Sequence, residues 1–272
     1  MSATDTGTVG FVGLGEQGAP LAHNLRAAGY RLHVFDVRPA AVEGLVAAGC
    51  VAAASPAAAG SAAPTVLVCV GNDEQLAAAA LGPDGVLAGM APGGLLIINS
   101  TVSPVIIAEL GRRCAASGID LVDAPLTGGA GGAHDRSLVY FVGGEAAAVE
   151  RARPFLEVSA RKLIMAGGPG DGIRAKLVHQ LILCGNLLAA RDGWRLGAAS
   201  GLGPDIIGAV IRDGAAQSRI AERYPSLRWG GHVAGLFAKD LGLCLDAGAA
   251  LGLDLKAAGF AHDNIGCIAG DD

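Results

Sequence analysis

Thr8-Val9-Gly10-Phe11-Val12-Gly13-Leu14-Gly15-Glu16-Gln17-Gly18 is an apolar run that stops on glycines spaced Gly-x-Gly-x-x-Gly. Val9 to Val12 reads as a buried strand. Ala19 to Ala28 reads as a helix with Leu21, Leu25 and Ala28 on one face. Each glycine has a mechanical reason: a tight turn, room for a pyrophosphate to approach the backbone, and close packing of helix on strand. The pattern alone also fits an ordinary glycine turn. What selects the dinucleotide reading is the second strand, which ends in Asp36 at roughly the 20-residue offset where a carboxylate accepts from ribose hydroxyls. The expected cofactor contacts here are Gly13, Leu14, Gly15, Glu16, Gln17, Gly18 and Asp36. Asp36 would repel a 2′-phosphate and so favours NAD. Arg38, two residues on, would partly offset that and keeps NADP open.

Further along the chain, short β-branched runs alternate with Ala-rich helical patterns: LHVFD at 32–36, TVLVCV at 65–70, LLIINS at 95–100, IDLVDAP at 119–125, LVYFVGG at 138–144 and RKLIM at 161–165. That alternation predicts an α/β fold, a Rossmann-type doubly wound parallel sheet with helices on both faces. After the turn-rich AGGPGDG at 166–172 the period changes from 2 to 3.6. Helices are expected from about Ile173 to Ser200, from Pro204 through Arg212, near Gln217, and from about Gly235 to Leu251. The predicted division is therefore a dinucleotide-binding domain over 1–167 and an all-α domain over 168–272.

Of the 272 residues, 51% are hydrophobic and 17% charged, which excludes a disordered or highly solvated chain. Ala and Gly together fill about a third of the sequence, which points to close-packed helices and glycine turns. No apolar run approaches the roughly 20 residues a membrane span needs. The N-terminus lacks a basic, signal-like region, so a cytoplasmic protein is expected. A net charge of −5 without any Lys/Arg block gives no footprint for nucleic acid. Six dispersed cysteines form no CxxC pair and read as small apolar groups in a reducing compartment. His134, His179, His232 and His262 show no paired ligand spacing, so no metal is expected. His23 and His33 read as packing or surface groups, and Trp194 and Trp229 as fillers of helix contacts. An intrahelical pair of Asp192 with its adjacent Arg191 is not favoured by that spacing, and none with Arg195 is expected.

Two further stretches carry chemistry. Asp123-Ala124-Pro125-Leu126-Thr127-Gly128-Gly129 stands at the carboxyl end of a predicted strand, where successive glycine amides and a hydroxyl make a cradle for a carboxylate; a loop kept for backbone geometry alone fits the same residues. Lys176, one of four lysines, lies early in the long helix among Ala175, Leu177 and Val178. A surface lysine is the default reading. The scarcity of charge nearby argues instead for an amine able to exchange protons. Gln180 falls one turn further along the same face.

FVGLGEQGAPLAHNL, NSTVSP, DAPLTGGAGGA, GDGIRAKLVHQ and FAKDLGLCLDAG occur in the order and spacing of the β-hydroxyacid dehydrogenase family, which the chain resembles over almost its whole length. The resemblance implies a Rossmann domain joined by a long helix to a helical domain of the 6-phosphogluconate dehydrogenase-like kind, assembled as a homodimer or homotetramer. It implies hydride transfer between NAD or NADP and a small 3-hydroxy acid or its semialdehyde. By the same resemblance Lys176 is the catalytic lysine, and Thr127, Gly128 and Gly129 bind substrate with Gln180. Val70, Gly71, Thr101 and Lys239, followed by Asp240, lie near the cofactor. His179 stands where Asn is frequent, Gly71 where Pro is common and His232 where Phe is frequent, and both histidines are candidate substrate contacts. Ala133-His134-Asp135-Arg136-Ser137 and the end at Asp272 also depart from the pattern. Two other readings stay open: an imine reductase on the same fold, against which Lys176 speaks, and a non-catalytic nucleotide-binding scaffold.

Overall fold

The computed structural model describes residues 7–227 and 231–270, so Trp229, Asp271 and Asp272 lie outside the described residues. The chain divides into two compact units, Met1–Lys176 and Leu177–Asp272.

The first unit is built on β1 (Thr8–Val12), β2 (Arg31–Phe35), β3 (Val51–Ala52), β4 (Thr65–Val68), β5 (Leu95–Ile98), β6 (Asp120–Asp123), β7 (Leu126–Thr127), β8 (Leu138–Gly144) and β9 (Ala160–Gly167). Its helices are α1 (Gly18–Ala27), α2 (Pro39–Ala47), α3 (Pro56–Ala62), α4 (Asp73–Leu76), α5 (Val86–Gly89), α6 (Pro104–Ala116), α7 (Gly129–His134) and α8 (Ala146–Glu157); α9 (Asp171–Ala199) begins here. The strands run in the order β3-β2-β1-β4-β5-β6-β8-β7, with β9 beside β8. From β3 to β6 every pairing is parallel. The strand order reverses between β1 and β4, which opens a crevice at their carboxyl ends. Strands β4 and β5 are buried at every position, as continuous apolar runs covered on both faces must be.

Helix starts follow local chemistry. Ser55, Asn72 and Ser103 each turn a side-chain oxygen onto an amide of the following helix. Pro39, Pro56 and Pro104 occupy first-turn positions that have no use for an N–H.

The sheet differs from a wholly parallel one at β8, which runs antiparallel to β6 and β7. Between β6 and β8 the chain forms only the two-residue β7 and the six-residue α7, which is too little for the crossover that a parallel neighbour requires. The short β3 and β7 carry no periodic signal and were not expected.

The second unit contains the remainder of α9, then α10 (Pro204–Asp213), α11 (Arg219–Arg223), α12 (Gly231–Ala250) and α13 (Lys256–Asn264), the last followed by a 3₁₀ turn over Ile265–Gly270. Cys184, Leu187, Leu188, Ala234, Leu241, Ala258, Ala261 and Ile265 form its core. A second cluster joins Ala190, Ile207, Ile211 and Ala221, with Trp194 packed against it. The Trp194 Nε1–H donates to the Ala221 carbonyl at 3.3 Å, so this tryptophan does fill a helix contact. Helix α13 was not anticipated, because its apolar residues are mainly Ala and Gly and give a weak period. The expectation for Asp192 is corrected: Arg191 Nη1 lies 3.2 Å from Asp192 Oδ1. Asp192 is largely exposed while the Arg191 side chain is mostly covered, and its long stem brings the guanidinium to the neighbouring carboxylate. Among the described residues no helix is long and apolar enough to cross a membrane.

Candidate active site

The glycine turn between β1 and α1 gives each glycine a distinct task. Gly13 has φ +91°, its N–H donates to the Phe35 carbonyl at 2.9 Å, and a Cβ there would run into the Cys69 carbonyl. Gly18 packs its Cα onto the Gly13 carbonyl and the Phe11 ring, leaving no space for a side chain. At Gly15 a Cβ would meet nothing within 4 Å, so its missing side chain serves no contact inside the protein. Glu16 is exposed and Gln17 half-buried at the start of α1.

Asp36 follows β2. Its carboxylate accepts from the Leu14 N–H at 2.7 Å and from Arg38, through the backbone N–H at 2.9 Å and Nε at 3.0 Å. Burial alone would raise its pKa. The hydrogen bonds from the Arg38 side chain and backbone and from Leu14 outweigh that and hold the carboxyl below its ordinary range. An open glycine, a helix N-terminus and an ionised carboxylate are the parts a dinucleotide needs for its pyrophosphate and ribose. The residues present therefore fit a nicotinamide dinucleotide.

Polar side chains fix the next two strand ends. The Val70 N–H donates to Ser100 Oγ at 2.8 Å, and the Gly71 N–H donates to Gln75 Oε1 at 2.8 Å, a bond that a proline at 71 could not make. Asn99 Nδ2 donates to the Ala124 carbonyl at 2.9 Å, and Thr101 stands half-buried beyond them.

Beyond β6, Thr127 is half-buried and Gly128 and Gly129 are exposed, with φ of +129° and +67° that favour glycine. Asp123, at the end of β6, is 1% exposed. Burial pushes its pKa up to about 6, against the lowering effect of amide hydrogen bonds from Gly170 and Ile173. Lys176 is 5% exposed on the second turn of α9. A lysine so enclosed is unusual and demands a reason.

In the second unit a chain of polar contacts starts one turn after Lys176. His179 Nδ1 lies 2.9 Å from Gln180 Oε1, Gln180 Nε2 donates to Asp240 Oδ2 at 2.5 Å, and Lys239 Nζ lies 2.8 Å from Asp240 Oδ1. Gln180 and Asp240 are both buried. His232 is exposed on the first turn of α12.

Residues 8–167 match the family described as the NAD binding domain of 6-phosphogluconate dehydrogenase. Residues 170–265 match the NAD-binding family of NADP-dependent 3-hydroxyisobutyrate dehydrogenase. The NAD-dependent L-serine dehydrogenase of Pseudomonas aeruginosa is 36% identical over 251 residues, covering 88% of this chain and 84% of the relative. The chain belongs to the β-hydroxyacid dehydrogenase family. The structure of Mycobacterium tuberculosis 3-hydroxyisobutyrate dehydrogenase with L-serine aligns at TM-score 0.87 and 29% identity, over 97% of this chain and 94% of the other. A Streptomyces aurantiacus imine reductase, at TM-score 0.68 and 21% identity over 95% and 93% of the two chains, shares the fold alone.

In this β-hydroxyacid dehydrogenase direct contacts join Leu14 to Asp36 and Gln180 to Asp240, with His179 and Lys239 at the two ends of the latter pair. Ser100, Gln75 and Asp123 carry no role in the sequence reading, and Asp240 only a place near the cofactor. A usable signal existed for two of them: Ser100 and Asp123 are polar residues at the ends of strands buried on both faces, where each must find a partner. Among the described residues no group of three His, Cys, Asp or Glu side chains could hold a metal ion.

Proposed function

We propose that this enzyme oxidises a small 3-hydroxy acid, and reduces the matching semialdehyde, with Lys176 as the proton-transfer group. The carrying observation is the burial of Lys176, 5% exposed on a helix whose start is tied to the strand end leading to Thr127, Gly128 and Gly129. An amine held out of bulk water can exchange a proton with a bound substrate hydroxyl. In oxidation Nζ accepts the hydroxyl proton; in reduction it returns that proton to the forming alkoxide. Thr127 and the amides of Gly128 and Gly129 hold the carboxylate and so place the hydroxyl-bearing carbon. Gln180, fixed through Asp240, orients the hydroxyl or the lysine. Gly13 to Gly18, Asp36, Val70, Gly71, Thr101 and Lys239 hold the cofactor. When bound, the nicotinamide supplies the hydride acceptor for oxidation and the donor for reduction.

NAD is the preferred cofactor, because the Asp36 carboxylate faces ribose hydroxyls well and a 2′-phosphate badly. Two relatives bear on the substrate, since one is named for L-serine and another was solved with it. Both point to a three-carbon 3-hydroxy acid. We read the protein as a cytoplasmic homodimer, since Ile206 and Val210 present an exposed apolar face on α10.

The test is an initial-rate screen of L-serine, 3-hydroxyisobutyrate, glycerate and their semialdehydes with NAD and NADP, followed by nicotinamide absorbance. Turnover of at least one acid with NAD preferred is expected. Turnover of cyclic imines but no hydroxy acid would revive the reductase reading, and tight NADH binding without any turnover would favour a scaffold.

A further inference from the structure

Helix α9 starts without a cap of its own. Gly170 accepts the first helical hydrogen bond, from the Arg174 N–H at 3.2 Å, but as glycine it brings no side chain to the amides behind it. Asp123 does that work from strand β6. Its Oδ1 accepts from the Gly170 N–H and its Oδ2 from the Ile173 N–H, both at 2.7 Å. These are the two bonds that a capping side chain and its reciprocal partner make at a helix start, here given by one distant carboxylate.

Glycines let the strands and the helix start close in around that carboxylate. Gly143 sits opposite Asp123 across the antiparallel β6–β8 step. A Cβ on Gly143 would meet the Gly172 N at 2.5 Å and the Gly168 carbonyl and Asp123 Oδ1 at 2.7 Å, and one on Gly172 would run into the Asp123 carbonyl and meet the Phe141 carbonyl at 2.6 Å and Oδ2 at 2.8 Å. Two glycines on separate elements thus clear the space. A cap needed only to start a helix does not require such enclosure, because Ser, Thr or Asn at the preceding position suffices.

Two parts of the proposed machinery leave from this point. Lys176 lies three residues beyond Ile173, a neighbouring position on the surface of α9. The backbone of Asp123 passes through Ala124 and Pro125 into Thr127, held on the way by the Ala124 N–H to the Ile98 carbonyl at 2.8 Å and the Phe141 N–H to the Pro125 carbonyl at 2.9 Å.

We propose that Asp123 is a positioning residue for proton transfer: by capping α9 from the strand that leads into the Thr127–Gly129 loop, it sets where Lys176 stands relative to that loop. The proposal rests on the reading of Lys176 as the proton-transfer group.

The experiment is a double-mutant cycle with Asp123→Asn and Lys176→Ala, and with Asp171→Asn as a control that alters charge in the same turn without touching the two amide bonds. For Asp123→Asn, kcat should fall about 10- to 100-fold, while the KM for the hydroxy acid and the NADH dissociation constant move less than about threefold. Asp171→Asn should keep wild-type kcat. In the Lys176→Ala background, Asp123→Asn should cost nothing further. Asp123→Ser, which leaves one hydroxyl where two carboxylate oxygens accept, should reproduce the kcat-only loss. A wild-type kcat in Asp123→Asn, or an equal loss in the Lys176→Ala background, would overturn the proposal. Unfolding of both Asp123→Asn and Asp123→Ser would also overturn it, since the contact would then hold the fold rather than the lysine. Near-native turnover by Lys176→Ala is a separate result that removes the lysine assignment itself.

Discussion

Asp36 closes the glycine turn through the Leu14 amide and is itself gripped by Arg38, whose Nη2 also reaches the Leu14 carbonyl at 3.3 Å. Its place after the second strand was legible from the offset alone. The grip of Arg38 was not, because a two-residue spacing in a loop gives side chains no fixed direction. Asp36→Ser should lower kcat/KM for NAD about tenfold and narrow the NAD over NADP ratio, in line with the loss of a charged hydrogen bond; an unchanged ratio in paired initial-rate assays would remove Asp36 from cofactor selection. Asp123 makes a pH prediction. Its carboxyl is raised to about 6 in the fold, from an ordinary value near 4. Below pH 4 the folded and unfolded chains both carry the proton. Between about 4 and 6 only the folded chain does, so this group lowers stability as pH rises through that interval, by on the order of 1–3 kcal/mol. The stability cost of Asp123→Asn, measured by urea denaturation, should therefore be larger at pH 4 than at pH 7. A cost that grows with pH would show that the amide bonds outweigh burial.

At the scale of elements, the strands that lie in the middle of the sheet were legible because burial on both faces writes them as unbroken apolar runs. The direction of β8 was not, since it depends on how much helix the connection forms, and the six-residue α7 was hidden in a glycine-rich stretch. Helix α9 was legible from its Leu/Ala period, while its cap lay 47 residues upstream in sequence, beyond any local pattern. The glycine turn makes the sharpest prediction here. Gly13→Ala forces a side chain onto φ +91° and into the Cys69 carbonyl, and should destabilise the fold by about 2 kcal/mol or more. Gly15→Ala points into open space and should leave the melting temperature within about 2 °C while weakening NADH binding about tenfold or more. Calorimetry and fluorescence titration of both variants check the pair. Equal destabilisation by the two would mean that Gly15 serves the fold.

At the scale of the molecule, the change from alternating strand and helix to helix alone was visible in the sequence, whereas the packing of the second unit was not. Its cores are assembled from Ala, Leu, Ile and Cys on several helices, and the alanines among them give no sign of which face they pack on. The exposed Ile206 and Val210, one turn apart on α10, carry the dimer reading. Sedimentation should give about twice the 26.9 kDa chain mass, and Val210→Asp should shift the protein toward monomer. A monomer in the wild type at micromolar concentration contradicts that reading.

The proton-transfer role of Lys176 is tested most directly by comparing wild type and Lys176→Ala in two measurements on one preparation: turnover with the best hydroxy acid, and NADH affinity by fluorescence titration. Turnover should fall about 10²- to 10⁴-fold with NADH affinity unchanged. Near-native turnover, or a loss fully accounted for by failure to bind NADH, would contradict it.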